Sequence, residues 1–291
     1  MRSVAPAAPA DRRSPALVSS QPDYCHAVPH RPSPRPAALW PPRRTAVALL
    51  AVLTIFAIAG CAPSNDRSRL TVAIAASLEP AFTVIVREFE DAHPGIDVTL
   101  EPGSSTALAA RIADGAPYSV LAGADASRVA SLGADLAGPV TVFATNRLAI
   151  AVPPGNPRRV RGLADLARLR ITALCDIAAP CGRYADEALT AAEVTLPESR
   201  ITRAPDATTT LRAVTRGDAE AAVVYVTDVR SAGPAAEAVT IPPSANRTAR
   251  YGIAVLAGAD DPGLAREFVT TVTDPRGRAA LTAAGFGVPG P

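Results

Sequence analysis

The chain has 291 residues, 48% hydrophobic and 19% charged, enough for a sizeable core spread over one or two domains. All 29 basic residues are Arg; seven of them and two of the 27 acidic residues fall within residues 1–60, leaving 22 against 25 and a net charge of −3 beyond. A weakly acidic body without a basic stripe excludes a nucleic-acid binder, and 29 Pro with 4% aromatic residues reads as a coding bias.

In chain order, residues 1–38 are rich in Pro, Arg, Ala and Ser without periodicity, and are expected to be disordered if they are made at all. Met1 is the single Met of the chain, and a start at a non-Met codon near Arg43 is the expectation. Arg43 and Arg44 precede an apolar run over 45–60 that ends in Ile58-Ala59-Gly60-Cys61. A basic segment, a short apolar segment and small residues before a cleavage point make a secretory signal. The run falls short of the ~20 apolar residues of a membrane span. Thr45-Ala46-Val47 after the paired arginines fits twin-arginine export poorly, so the general secretory route is expected. Cys61 directly after Ala-Gly resembles the bacterial lipobox, whose Cys is diacylated and becomes the mature N-terminus; the plain alternative is a chance Cys at an ordinary cleavage site. Residues 1–60 are thus leader and signal, and 61–69 a polar tether.

A buried strand is predicted over 70–75. Leu78, Phe82, Ile85, Val86 and Phe89 then recur at helical spacing, with Ser77 as N-cap and His93-Pro94-Gly95 as the stop. A strand over 96–100, a helix over 107–113 closed by Gly115, a strand over 120–122 and a helix near 127–132 follow. The strand over 148–152 runs into Pro153-Pro154-Gly155-Asn156-Pro157. A second alternating set begins there: strand 171–174, helix 184–192, helix 207–216 behind Asp206, and the apolar strand 221–225, which suits a sheet buried on both faces. After Pro242-Pro243 come a strand over 251–256 and helices over 263–272 and 276–284, each opened by an Asp-Pro pair.

This alternation implies an α/β fold with parallel-rich sheets flanked by helices. Proline punctuation on both sides of 153–243 implies two lobes, the second inserted in the first, with hinge crossings near Val152 and Arg250. Lobe I is expected to comprise 70–149 plus 250–291, and lobe II 150–249.

Cys25 falls in the leader and Cys61 at the anchor. Cys175 and Cys181, six residues apart in an exported chain, are expected to bridge. A metal pair is the less favoured reading, because His93 is the one imidazole beyond residue 60 and no second Cys pair accompanies them. Ala75-Ala76-Ser77-Leu78 and Gly103-Ser104-Ser105-Thr106 each put hydroxyls where a strand gives way to a helix. Free backbone N–H groups and the positive end of the helix dipole point outward there. With serine hydroxyls added, such turns make a cluster of neutral donors suited to a small dianion. Each serine alone can also be read as an ordinary N-cap.

The runs Val72-Ala73-Ile74-Ala75-Ala76-Ser77-Leu78, Phe89-Glu90-Asp91-Ala92-His93-Pro94-Gly95, Gly103-Ser104-Ser105-Thr106-Ala107-Leu108, Asp114-Gly115-Ala116-Pro117, Asn146-Arg147-Leu148, Gly182-Arg183-Tyr184-Ala185, Val224-Tyr225-Val226-Thr227-Asp228 and Gly285-Phe286 carry a resemblance. In this order the chain from about residue 70 onward resembles the periplasmic molybdate-binding proteins of ABC transporters, which have the type II binding-protein fold. The resemblance implies that Ser77 and Ser105 donate hydroxyl and amide to an oxyanion. It implies backbone amides at Cys181 and Ala207, and the Tyr225 hydroxyl, as the remaining donors. It further implies molybdate or tungstate as ligand, no catalytic residue, no cofactor and no protein-ligated metal cation. The implied partners are an ABC permease and, through lipidated Cys61, the outer face of the cytoplasmic membrane; the protein would be a monomer. The chain departs from the family at Tyr118-Ser119, where an Ala-Asp is common, and at Cys175 and Cys181, where a Gly-Asp-Pro start and an Ala end are usual.

A tetrahedral dianion has many lone pairs and no proton, so neutral donors satisfy it without the desolvation cost of a buried counter-ion. None of the five positions offers an acceptor carboxylate, which disfavours a protonated phosphate; sulfate can be excluded by size alone. The alternative readings are Tyr225 as a core aromatic bonded to a carbonyl, Asp125 and Asp228 as caps or interlobe contacts, and His93 as a solvated helix end. Other functions fit less well. A receptor for another oxyanion such as sulfate shares the donor logic. An exported serine hydrolase would need a base, and neither a Gly-x-Ser-x-Gly elbow nor a histidine other than His93 accompanies Ser77, Ser104 or Ser105. A sugar or peptide receptor would favour stacked aromatics, whereas the one Trp is Trp40 in the leader. A structural surface lipoprotein would leave the donor cluster a coincidence.

Overall fold

The computed structural model describes residues 68–289; the leader, the signal, Cys25, Cys61 and most of the tether lie outside the described residues. Strand β1 (Ser68–Ala75) is buried along Val72–Ala75, as its unbroken apolar run requires. It pairs in parallel with β2 (Ile96–Gly103) on one side and β3 (Val120–Gly123) on the other. Helix α1 (Glu79–Ala92) connects β1 to β2 and α2 (Ser105–Ala113) connects β2 to β3. Helix α1 buries Phe82, Ile85, Val86 and Phe89, and stops at His93 and at Gly95, whose φ of +96° only glycine adopts freely. His93 is half-buried rather than solvated: its ring stacks on Phe89 at 4.1 Å and Nδ1 lies 2.8 Å from the Phe89 carbonyl.

Strand β4 (Thr141–Val152) carries the chain between the two sheets. Residues up to Arg147 pair antiparallel with β9 (Thr248–Val255), which itself pairs with β3. From Leu148 onward the same strand pairs with β7 (Ala221–Tyr225) and β8 (Glu237–Thr240). Strand β5 (Thr172–Cys175) lies parallel to both β6 (Ile201–Ala204) and β7. The order β2-β1-β3-β9-β4-β7-β5-β6, with β8 on β4, makes two parallel-rich sheets, each flanked by helices, and the second is inserted in the first. This is the expected two-lobed α/β fold, with the chain crossing at the Arg147–Leu148 step of β4 and again between Thr240 and Thr248.

Several local expectations are corrected. The strand expected over 148–152 starts at Thr141, and strands β6 and β8 were not anticipated. The helix expected from 107 starts at Ser105, and the one expected from 184, here α4 (Pro180–Ala191), starts at Pro180, which brings Cys181 into its first turn. Three further helices have the caps their sequences require. Asp206 caps α5 (Ala207–Thr215), and Asp261 and Asp274 cap α7 (Pro262–Thr273) and α8 (Pro275–Ala283) through the amides of Leu264 and Gly277. Helices α3 (Ala126–Ala130) and α6 (Val226–Ser231) are single short turns.

Candidate functional site

The carboxyl ends of β1, β2, β5, β6 and β7 lead into helical turns that meet in one cavity of about 20 Å³. Open α/β sheets bind ligands at these strand ends. A cavity of roughly 10–15 Å³ admits one water, so the space suits a guest of a few atoms. Ser77, Ser105, Cys181, Ala207 and Tyr225 all lie in its wall, brought together from both lobes.

Backbone donors dominate that wall. Helices α2 and α4 are preceded by Ser104 and Ala179, neither of which makes a side-chain cap bond. Leu108 is the first amide of α2 to find a helical carbonyl, that of Ser104. The amides ahead of it are the orphan donors every helix start leaves over. At α4, Cys181 sits at this position, in a loop closed by its disulfide to Cys175. A side chain at the next residue, Gly182, would collide with the Asp176 carbonyl, so the loop packs tightly under the cavity.

The hydroxyls are specific in their partners. Ser77 is not the N-cap expected of it: a 3-10 turn over Ala76–Leu78 intervenes before α1, and no side chain caps either element. Its Oγ lies instead 2.8 Å from Tyr251 Oη in the interior. Ser105 is the first residue of α2 and no cap either; its Oγ accepts the Ala124 amide at 2.9 Å, which leaves its own proton to spare. Tyr225 is 2% exposed, and its hydroxyl has no hydrogen-bond partner among the described residues. The reading of Tyr225 as bonded to a carbonyl is therefore wrong. An orphaned buried hydroxyl costs roughly 1–3 kcal/mol, which a ligand acceptor would recover. Burial, followed by the neighbouring Tyr251, pushes its pKa well above the ordinary phenol range, so it is held as a donor.

Carboxylates lie near the cavity but are occupied. Asp206, in the wall, was missed as a lining residue. One of its oxygens accepts the Thr209 amide at 2.7 Å and the other the Thr209 hydroxyl at 3.1 Å. Its position directly ahead of Ala207 was the available signal. Asp228 accepts the Tyr225 amide at 3.0 Å at the start of α6, and burial pushes its pKa up to about 7. Asp125 caps α3 through the Ser127 amide and is ion-paired with Arg183 of α4, so it is both a cap and a contact between lobes.

Comparisons with known proteins bear on the family and the fold. The family model for bacterial extracellular solute-binding proteins matches residues 70–287. A Mycobacterium bovis protein named molybdate-binding protein ModA is 35% identical over 230 residues, 78% of this chain and 87% of its own. Among solved structures, the Azotobacter vinelandii periplasmic molybdate-binding protein superposes with a TM-score of 0.66 at 22% identity, over 76% of this chain and all of its own. The sulfate-binding protein SubI of Mycobacterium tuberculosis reaches the same TM-score at 19% identity, over 77% of this chain and 88% of its own. At these identities the two structures speak for the fold. Among the described residues no helix is long and apolar enough to cross a membrane.

Proposed function

We propose that this chain, which belongs to the family of bacterial extracellular solute-binding proteins, captures molybdate or its near-isostere tungstate between its lobes. The family binds solutes for transport, and the chain is not an enzyme. The observation that carries the choice of a small anion is the Tyr225 hydroxyl, buried without a partner among the described residues in a wall of uncapped helix starts and serine hydroxyls. Such a wall offers hydrogen-bond donors, while its carboxylate, Asp206, is engaged by Thr209. It therefore suits a small anion with no proton of its own. In this reading Ser77 and Ser105 give hydroxyls and amides, Cys181 and Ala207 give amides, and Tyr225 gives its hydroxyl. The identity to the mycobacterial molybdate-binding protein supports molybdate over other dianions.

The two lobes, joined at the Arg147–Leu148 step and between Thr240 and Thr248, close on the anion, and the loaded form delivers it to an ABC permease. Lipidated Cys61 anchors the monomer to the outer face of the cytoplasmic membrane. Thermal-shift titration of the purified protein tests the ligand. Molybdate and tungstate at a hundredfold excess over Kd should add ~2.7 kcal/mol of stability, and sulfate and phosphate should add none. Stabilisation by sulfate alone reassigns the site to a sulfate receptor, and indifference to all four anions ends the reading.

A further inference from the structure

Behind the cavity wall, and not lining it, lie two buried polar side chains linked to Ser77. Asn146, on β4, is 4% exposed, and Tyr251, on β9, is fully buried. The Arg147 amide donates to Asn146 Oδ1 at 2.9 Å, which fixes the side-chain amide: the other terminus is Nδ2, a donor without a lone pair. Nδ2 donates to Thr227 Oγ1 at 2.8 Å and, at 3.4 Å, to Tyr251 Oη. Tyr251 Oη has one proton, and of its two partners among the described residues only Ser77 Oγ can accept it. Tyr251 therefore donates to Ser77. Were the bond reversed, the Tyr251 proton would be orphaned in the interior, a cost of the same order as the bond itself.

From this geometry we infer that Tyr251, supported by Asn146, is a positioning residue that sets the direction of the Ser77 proton. With one Ser77 lone pair taken by Tyr251, no acceptor among the described residues remains for the Ser77 hydroxyl proton, which leaves it free to point into the cavity that Ser77 lines. The Ala124 amide does the same for Ser105. The serine hydroxyls are thus held as donors before the anion arrives, and they need not be reoriented on binding. Successive donation along Asn146, Tyr251 and Ser77 also polarises the last hydroxyl. This inference rests on Ser77 contacting the anion, as proposed above.

Calorimetric titration with molybdate of the wild type, Ser77→Ala, Tyr251→Phe and the double variant tests it. Tyr251→Phe keeps the ring and its edge contacts with Phe143, Tyr225 and Phe286. It should weaken binding about tenfold. In the Ser77→Ala background the same change should alter Kd by less than twofold, because there is no hydroxyl left to orient. Equal weakening in both backgrounds assigns Tyr251 a purely structural role and overturns the inference, as does an unaltered Kd in Tyr251→Phe alone. An unaltered Kd in Ser77→Ala refutes the contact itself, and the inference with it. Neutron diffraction of the wild-type molybdate complex needs no variant. Deuterium on Tyr251 Oη directed at Ser77 Oγ is expected, and deuterium on Ser77 directed at Tyr251 would reject the inference.

Discussion

Asp125 and Arg183 form an ion pair between the two lobes, the carboxylate following β3 of the first sheet and the guanidinium lying on α4 of the second. Nearby, the Thr106 hydroxyl donates to the Ala178 carbonyl at 2.6 Å, again from one lobe to the other. Both contacts exist only while the lobes are together, so they favour the closed form. The Asp125 side chain is 7% exposed and that of Arg183 36%, so the pair is partly screened by solvent. Arg183→Ala should therefore weaken molybdate binding by about fivefold, the equivalent of ~1 kcal/mol for such a pair. Calorimetry at low and high salt checks the cause: salt should reduce wild-type affinity more than that of the variant. Equal salt responses would remove the ion pair from the closing mechanism.

Tyr225→Phe should separate stability from binding. The hydroxyl it removes has no partner among the described residues, so the ligand-free protein should melt no lower than the wild type and by the lost desolvation cost somewhat higher. Affinity for molybdate should fall by about ten- to a hundredfold, the range for hydrogen bonds to a charged partner. Differential scanning calorimetry with and without ligand reads both quantities on one sample. A variant that loses stability without ligand would mean that the hydroxyl has a structural partner.

The elements most legible in the sequence were those with an unbroken apolar pattern. Strands β1 and β7 are buried along most of their length, and α1 shows its core face at helical spacing. Strands β6 and β8 escaped because as edge strands they are exposed or half-exposed throughout and show no alternation. The first half of β4 escaped because Thr145, Asn146 and Arg147 interrupt its apolar residues; Asn146 is nonetheless buried, its polarity satisfied by Thr227 and Arg147. Serine type and position suggested a cap at Ser77, but its partner, Tyr251, is 174 residues away, and a long-range contact of that kind leaves no local signature. The grouping of the five cavity residues came from the resemblance; composition and spacing reached no further than two turns suited to anions.

Asp228 should make the stability of the ligand-free protein depend on pH. Burial raises its folded-state pKa from 3.8 to about 7, against the opposing bond from the Tyr225 amide. The folded protein thus holds a proton that the unfolded chain has released, over the window between those two values. Stability should fall as pH rises through that window, by up to ~1.4 kcal/mol per pH unit, and this contribution should level off above pH 7. Asp228→Asn can keep the Tyr225 amide bond while removing the titration. The difference in melting temperature between wild type and variant should grow from pH 4 to 7 and then stay constant; a difference independent of pH would show that Asp228 titrates normally.

The Cys175–Cys181 disulfide ties the end of β5 to the first turn of α4, and so holds the backbone of Cys181, which lines the cavity. A loop this short removes roughly 2 kcal/mol of chain entropy from the unfolded state in the loop-closure model. The paired replacement Cys175→Ala with Cys181→Ala should lower the melting temperature accordingly. It should also raise the dissociation rate of molybdate more than it slows association, since a looser amide must be reordered with each binding event. Both side chains are almost fully buried, so part of the stability loss will come from two small voids rather than from the cross-link. Reduction of the wild type without mutation separates the two causes, because it breaks the bond and leaves both sulfurs in place. Stopped-flow kinetics on reduced and oxidised wild-type protein should show the faster dissociation in the reduced form. Identical rates would mean that the packing around Gly182, where a Cβ meets the Asp176 carbonyl, fixes the amide without help from the cross-link.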